Sequence, residues 1–227
     1  MSDLITMDDL SNDEILEILD TAERLLPVAN GDVYAPLLQG KVLGNLFFEN
    51  STRTRMSFES AMKRLGGEVV NLSSVGSSVA KGETLYDTMQ MVDGYSDIAV
   101  IRHPRQGAAQ YSADAIGIPI LNAGDGAGNH PTQTMLDLFT IRQAHGTLDG
   151  LNVVLVGDLR YGRTTHSLSH ALVRFGAKLT LVSPDSLRMP TEIVSDLQSH
   201  DTEVIESENL SGAIAVSYTH LRAHETR

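Results

Sequence analysis

The segment Val42-Leu43-Gly44-Asn45-Leu46-Phe47-Phe48 is a short apolar run of the kind that forms a buried strand. The polar segment Ser51-Thr52-Arg53-Thr54-Arg55 follows it almost at once. Apolar residues then recur at helical spacing, namely Phe58, Ala61, Met62 and Leu65. Gly66 follows them and predicts the end of the helix. The sequence therefore predicts a strand, a polar turn and a helix, in that order.

The same order recurs along the chain. Five further strands are predicted, at Glu68 to Leu72, Ile98 to Ile101, Ile118 to Leu121, Asn152 to Val156 and Leu179 to Val182. Helical patterns occupy most of the stretches between them. Strands that alternate with helices imply parallel sheets with right-handed crossovers, and therefore an α/β fold.

Local signals refine this outline. Ser11-Asn12-Asp13-Glu14 predicts a capping box at the start of a helix, and Pro27 predicts the end of that helix. Asn122 to His130 predicts a glycine-rich loop, and Pro131 suits the first position of the next helix. Gly212 to Ala215 predicts the beginning of a strand.

Two α/β domains are expected. The first, residues 1–146, contains enough strands for a complete sheet. The second, residues 147–215, shows only two or three strands, fewer than a doubly wound sheet usually needs, and is predicted to be incomplete. Residues 216–227 are predicted to be a separate tail.

Composition excludes several classes of function. The 227 residues include no cysteine, which rules out disulfides and thiolate chemistry. A net charge of −12 argues against nucleic-acid binding. The acidic first residues do not form a secretory signal, and no apolar run approaches a membrane span. We expect a cytoplasmic protein with no membrane or nucleic-acid partner.

Four strand ends carry polar segments, and ligands of open parallel sheets bind at such ends. They are Ser51 to Arg55, Arg102-His103-Pro104, His130-Pro131-Thr132-Gln133 and Gly157 to Arg163. Alone, Ser51 to Arg55 is equally consistent with a capped helix start that carries two solvated arginines. Each of the other three segments, taken alone, is more often an ordinary surface charge, a helix cap or a common turn. Together they predict a site for a small anionic substrate, because helix N-termini, arginines and a neutral histidine all favour anions. From the residues, either group transfer or isomerisation fits.

These segments resemble the transcarbamoylase family over roughly residues 5 to 210. Phe47 to Arg55 is similar to the family's carbamoyl-phosphate signature. The aspartate-specific branch is resembled by further segments, namely Lys81-Gly82-Glu83-Thr84, Arg102-His103-Pro104, Asn122 to Gly126, His130 to Gln133 and Gly157 to Thr164. The ornithine branch shares the Ser-Thr-Arg-Thr-Arg signature and a His-Pro-x-Gln motif, but it lacks the Arg-His-Pro motif.

The resemblance implies residue roles for carbamoyl transfer from carbamoyl phosphate to L-aspartate, a step of pyrimidine biosynthesis. The phosphate would be held by Ser51, Thr52, Arg53 and Thr54. The carbonyl oxygen would be contacted by Thr54, Arg102 and His130, the catalytic group. Gln133 would lie at the carbamoyl nitrogen, and Arg163 would bind a carboxylate of aspartate.

The resemblance also implies an oligomer. Ser77 and Lys81 would reach the active site of a neighbouring subunit, and Lys81 would also contact aspartate, in a homotrimer with shared sites. No metal or organic cofactor is implied, and the phosphate itself would take the amine proton. Whether a regulatory chain binds the trimer stays open.

Two rival functions stay open at this point. Another transcarbamoylase, using ornithine or a related amine, would differ mainly in its amino-acid site. A non-catalytic paralogue would bind carbamoyl phosphate without turnover. A generic nucleotide-binding protein is disfavoured, because the first strand is followed by Ser51 to Arg55 and not by a glycine-rich phosphate loop.

The family continues beyond this length, so the chain as written is expected to be an inactive fragment. One legal back-translation of Val216 to Thr226 resembles a sequencing-library adapter. The sequence therefore predicts that the native reading frame is lost near residue 215.

Overall fold

The protein is described by a computed structural model that covers residues 3–73, 78–126, 128–214 and 219–223. It forms two compact units, Met1–Thr132 and Gln133–Arg227. The unit division falls at the start of the helix that begins at Pro131, whereas the boundary after residue 146 predicted from the sequence places that helix in the first domain. That boundary stays a prediction.

The first unit is built on a four-stranded sheet. Its strands are β1 (Val42–Phe47), β2 (Glu68–Ser73), β3 (Ile98–His103) and β4 (Ile120–Asp125). All neighbours pair in parallel in the order β2-β1-β3-β4, as expected for an α/β fold. The register places Phe47 beside Arg102 and His103 beside Asp125. Three polar segments that follow or end these strands therefore start from one edge of the sheet.

Helices cover both faces of this sheet. The helices in contact with its strands are α3 (Thr52–Arg64), α4 (Leu85–Tyr95) and α5 (Ala108–Ala115). The chain also forms α1 (Asn12–Arg24) and α2 (Leu26–Asn30) before β1, and α6 (Pro131–His145) after β4. Because side chains alternate along a strand, Leu46 packs with Met89 of α4 on one face while Phe47 packs with Met62 of α3 on the other. The core therefore fixes how α3 leaves β1.

The second unit has its own parallel sheet. Its strands are β5 (Asn152–Gly157), β6 (Lys178–Val182), β7 (Val204–Ser207) and β8 (Thr219–Ala223), in the order β7-β6-β5-β8. Its further helices are α7 (Arg163–Arg174), α8 (Thr191–Gln198) and α9 (Leu210–Ile214). The strands β5, β6 and β7 lie within residues 147–215, in agreement with the two or three strands expected there, and β8 lies in the segment predicted to be a tail. The origin of that segment stays a prediction.

Three local predictions were wrong. Pro27 does not end the first helix: α1 ends at Arg24, and Pro27 lies in the first turn of α2, where its missing N–H is not needed. Gly212 begins no strand, because the Asn209 carboxamide accepts a hydrogen bond from the Gly212 N–H and α9 forms there. The capping box of Ser11 and Glu14 is confirmed.

The third error concerns Asn122 to Asp125, which form the end of β4 and not the start of a loop. Asn122 is fully buried, and the register pairs it with Ile101 of β3. Strand pairing and a buried polar side chain override the loop preference of the glycine-rich sequence.

Candidate active site at the strand ends

The first turn of α3 provides unpaired donors. Ser51 precedes the helix in an extended conformation, and its side chain does not cap the backbone N–H groups of the first turn. That turn contains no acidic residue. Arg53 is exposed and Thr54 is half-buried. The unpaired N–H groups, the helix dipole and the Arg53 guanidinium together suit a phosphate.

Arg102 lies at the end of the neighbouring strand β3. Its backbone carbonyl accepts a hydrogen bond of 2.8 Å from the Phe48 N–H, which ties it to the segment that leads to Ser51. Its guanidinium donates to Glu49 at 2.7 Å and to the Ala123 carbonyl at 3.4 Å. The Nε atom is buried and has no partner among the described residues. Arg102 thus has a hydrogen-bond donor at this edge that no described residue uses.

His103, next to Arg102, was predicted only as part of the segment Arg102-His103-Pro104 and was given no role of its own. Its Nδ1 accepts a hydrogen bond of 3.0 Å from the Arg105 N–H, so the proton of the neutral ring is on Nε2. Burial and the nearby Arg105 charge lower the pKa of His103. The ring packs at a tilt against Phe48, with 5.3 Å between centroids. A neutral imidazole therefore lines the same edge.

A buried polar network shapes the turn after β4. The Asp125 carboxylate, only 3% exposed, accepts hydrogen bonds of 2.8 Å from the N–H groups of Gly107 and Asn129. The Asn122 carboxamide accepts from Gly124 N–H at 2.8 Å and donates to the Ile5 carbonyl at 2.9 Å. These bonds position the segment that leads to His130. The only sequence signal was an Asn and an Asp among glycines.

Gly126 allows this turn to approach the one after β3. It has a φ of +57°, and its N–H donates to the His103 carbonyl at 2.8 Å. An added Cβ would lie 2.7 Å from the Pro104 carbonyl oxygen. Only glycine fits there, so the two turns are held together by backbone contact.

His130 is buried, with 6% of its surface exposed. Its Nδ1 lies 3.3 Å from the Thr132 hydroxyl, which also lies 3.5 Å from the Asn122 carbonyl. Pro131 opens α6, as predicted. The first unit therefore brings the start of α3, Arg102 and the His130 turn to one edge of its sheet.

In the second unit, Gln133 and Arg163 lie near helix starts. Gln133 donates through Nε2 to Asp137 at 3.0 Å. Arg163 is the first residue of α7. Gly162 before it is required, because an added Cβ would lie 2.5 Å from the Asp158 carbonyl oxygen. The Asp158 side chain accepts from the N–H groups of Arg160 and Tyr161, which shapes this turn.

Of the two residues expected to serve a neighbouring subunit, the structure describes only Lys81. Lys81 ends a short 3₁₀ helix, Ser78–Lys81, and its side chain is exposed. No ion pair or side-chain hydrogen bond joins it to another described residue. Ser77 lies outside the described residues. Lys81 is therefore available to a second molecule.

Neither a metal site nor a membrane-spanning helix is found among the described residues. Within the ranges that the structure describes, no group of three or more histidine or acidic side chains could hold a metal ion. The described helices include none that is long and apolar enough to cross a membrane.

Comparison with known proteins adds an independent line of evidence. Residues 2–143 match the family described as aspartate/ornithine carbamoyltransferase, carbamoyl-P binding domain. The chain is 56% identical over 212 residues to the aspartate carbamoyltransferase catalytic subunit of Methanococcoides burtonii, covering 93% of this chain and 68% of that protein. The corresponding subunit of Archaeoglobus fulgidus is 53% identical over 200 residues, covering 88% of this chain and 67% of that protein.

Solved structures show the same likeness. The catalytic subunit of M. jannaschii aspartate transcarbamoylase superposes with a TM-score of 0.88 at 49% identity, covering 93% of this chain and 70% of that one. Aspartate transcarbamoylase from Trypanosoma cruzi, in complex with carbamoyl phosphate and aspartate, superposes with a TM-score of 0.91 at 40% identity. That match covers 97% of this chain and 76% of the other.

Proposed function

Since this chain belongs to the family of aspartate carbamoyltransferase catalytic subunits, we propose that the polar edge of its first sheet is where carbamoyl phosphate binds. The enzyme transfers the carbamoyl group of carbamoyl phosphate to the amine of L-aspartate. The observation that supports the location is the parallel register, which pairs Phe47 at the end of β1 with Arg102 and pairs His103 at the end of β3 with Asp125 at the end of β4.

The proposed roles are those that the family resemblance implies, and the chemistry of the groups suits them. Ser51, Thr52, Arg53 and the backbone of the first turn of α3 bind the phosphate. The carbonyl oxygen receives hydrogen bonds from Thr54, Arg102 and His130. Gln133 lies at the carbamoyl nitrogen, and Arg163 binds a carboxylate of aspartate.

In this mechanism the amine of aspartate attacks the carbamoyl carbon. A carbon–nitrogen bond forms, the bond from carbon to the phosphate oxygen breaks, and phosphate leaves with the amine proton. Negative charge grows first on the carbonyl oxygen and then on the phosphate. Donors that are already in place around both positions stabilise that charge without reorganisation. Binding both substrates in one site removes most of the entropic cost of their encounter.

We further propose that the enzyme acts in the cytoplasm, in pyrimidine biosynthesis, as a homotrimer to which a regulatory chain is a further candidate partner. Exposed Lys81, which has no side-chain partner among the described residues, supports the sharing of sites between subunits. Ser77 is proposed to act with it.

The test is a product assay on the complete subunit that carries this sequence. With carbamoyl phosphate, L-aspartate should yield carbamoyl-aspartate and an equal amount of phosphate, and L-ornithine should yield neither. A carbamoylated ornithine product would assign the other branch of the family. Binding of carbamoyl phosphate without any turnover would indicate a non-catalytic paralogue.

A further inference from the structure

Gln133 and Asp137 form a side-chain pair one turn apart on α6. The Gln133 Nε2 donates to Asp137 Oδ1 at 3.0 Å. Both side chains are half-buried. Burial raises the pKa of the Asp137 carboxyl, and the hydrogen bond from Gln133 opposes that shift. Asp137 is thus a partly buried carboxylate next to Gln133, a residue proposed to bind substrate, and this position indicates a role beyond helix stability.

The partner fixes which end of the Gln133 carboxamide faces it. An ionised carboxylate only accepts hydrogen bonds, so the NH₂ end of the amide must turn toward Asp137. The amide oxygen is then left on the other side. Among the residues that the structure describes, Gln133 Oε1 has no hydrogen-bond partner. The pair therefore leaves one oriented acceptor unused.

We propose that Asp137 is a positioning residue that holds the Gln133 amide oxygen toward the substrate, and so selects a carbamoyl NH₂ group over a methyl group. This inference rests on the proposed function, which places Gln133 at the carbamoyl nitrogen. It adds the reason why that glutamine accepts a hydrogen bond there and does not donate one.

The consequence is a discrimination between two acyl phosphates of nearly equal shape. Carbamoyl phosphate carries an NH₂ group where acetyl phosphate carries a CH₃ group. An oriented carbonyl oxygen accepts a hydrogen bond from the NH₂ group, whereas the methyl group leaves that oxygen unpaired. A site built around such a hydrogen bond rejects the analogue that lacks it. An amide turned the other way would oppose two NH₂ groups and lose the preference.

A purely structural role predicts a different behaviour. Gln110 and Asp114 form the same pair on α5, at 2.9 Å, with both side chains exposed. Exposed pairs at this spacing contribute only about 0.2–0.5 kcal/mol to a helix. The α5 pair therefore provides a matched control for the same contact away from the proposed site.

The experiment compares Asp137→Asn, Asp137→Glu and Asp114→Asn in the complete subunit. An asparagine at position 137 can donate as well as accept, so it releases the orientation of Gln133. Dissociation constants are measured by calorimetry for carbamoyl phosphate and, separately, for acetyl phosphate. The ratio of the two constants is the readout, because a smaller folded fraction changes the number of sites and not this ratio.

We expect Asp137→Asn to weaken the binding of carbamoyl phosphate about tenfold, which is the effect of losing one hydrogen bond. The binding of acetyl phosphate should weaken by less than about twofold. Asp137→Glu should restore part of the ratio, and Asp114→Asn should leave it unchanged. An unchanged ratio in Asp137→Asn would overturn the inference while leaving the function intact. A wild-type enzyme that does not bind carbamoyl phosphate would instead overturn the proposed function itself.

Discussion

Arg102 and Glu49 form an ion pair of 2.7 Å at the ends of adjacent strands, with 13% of the Arg102 side chain exposed and 33% of the Glu49 side chain exposed. The carboxylate compensates the charge of a largely buried guanidinium, and its position is fixed by the bond between Phe48 N–H and the Arg102 carbonyl. The buried Nε of Arg102 has no hydrogen-bond partner among the described residues, which makes Arg102 a candidate substrate ligand.

Replacing Arg102 tests its proposed role as a hydrogen-bond donor to the carbonyl oxygen of the substrate. We expect Arg102→Ala to lower kcat by about 10²–10³-fold, the usual effect of removing one donor to a developing oxyanion. Steady-state kinetics would measure it. Arg105→Ala, which removes an exposed guanidinium three residues along the same chain segment, should keep wild-type kcat. Equal losses in both variants would show that the positive charge of the turn matters and not Arg102 itself.

The network around Asp125 predicts a coupled loss of stability and activity. In Asp125→Ala the N–H groups of Gly107 and Asn129 lose their shared acceptor in a buried place. We expect the free energy of unfolding to fall by about 2–4 kcal/mol, and His130 to be displaced enough to lower kcat. Denaturant melts and kinetics would measure both. Exposed Asp114→Ala should leave both nearly unchanged, and a fully active Asp125→Ala would refute the positioning role.

Sharing of sites predicts complementation between inactive subunits. Arg53→Ala removes a phosphate ligand from its own site, while Lys81→Ala removes a group supplied to a neighbour. A mixture dissociated and reassembled from the two should regain activity, because some sites then combine intact Arg53 with intact Lys81. A mixture of Arg53→Ala with Arg102→Ala should stay inactive. Equally inactive mixtures would remove the claim of shared sites.

His166 predicts how the second unit responds to acid. Its Nε2 donates to the Leu159 carbonyl at 2.7 Å, and burial lowers the pKa of His166 below the ordinary 6.5. His170 also lowers this pKa, whereas the hydrogen bond to Leu159 and the nearby acids Asp158 and Glu192 raise it. The unfolded chain therefore binds a proton more readily than the folded one.

The contribution of His166 to the free energy of unfolding is therefore complete above pH 6.5, and it is lost as the pH falls through the lowered pKa. We expect His166→Gln, which keeps a donor for the Leu159 carbonyl, to show less loss of melting temperature between neutral and mildly acidic pH. Melting curves across that range would measure it, with exposed His200→Gln as the control. Parallel losses in wild type and His166→Gln would contradict this account.

Much of this architecture could be read from the sequence because its signals are local. Apolar runs, glycine stops and Pro131 predicted a parallel α/β fold and the polar strand ends, and that fold class is confirmed. The missed features depend on contacts distant in the chain. The end of β4 at Asn122 to Asp125 is extended because β3 lies beside it, which its glycines do not reveal.

The same reason explains what was missed at the site. The hydrogen bond from Arg105 N–H that fixes the His103 tautomer exists only in the folded turn. The pair of Gln133 and Asp137 has ordinary helical spacing, and only its burial distinguishes it from Gln110 and Asp114.

Calorimetric titration of the complete subunit with carbamoyl phosphate, in wild type and Arg53→Ala, tests the central claim most directly. The first turn of α3 and the Arg53 guanidinium are proposed to hold the phosphate, so wild type should bind and Arg53→Ala should show no measurable binding heat. Lys63→Ala, at the far end of the same helix and paired with Glu59, should bind like wild type. Unchanged affinity in Arg53→Ala would contradict the proposed location of the phosphate.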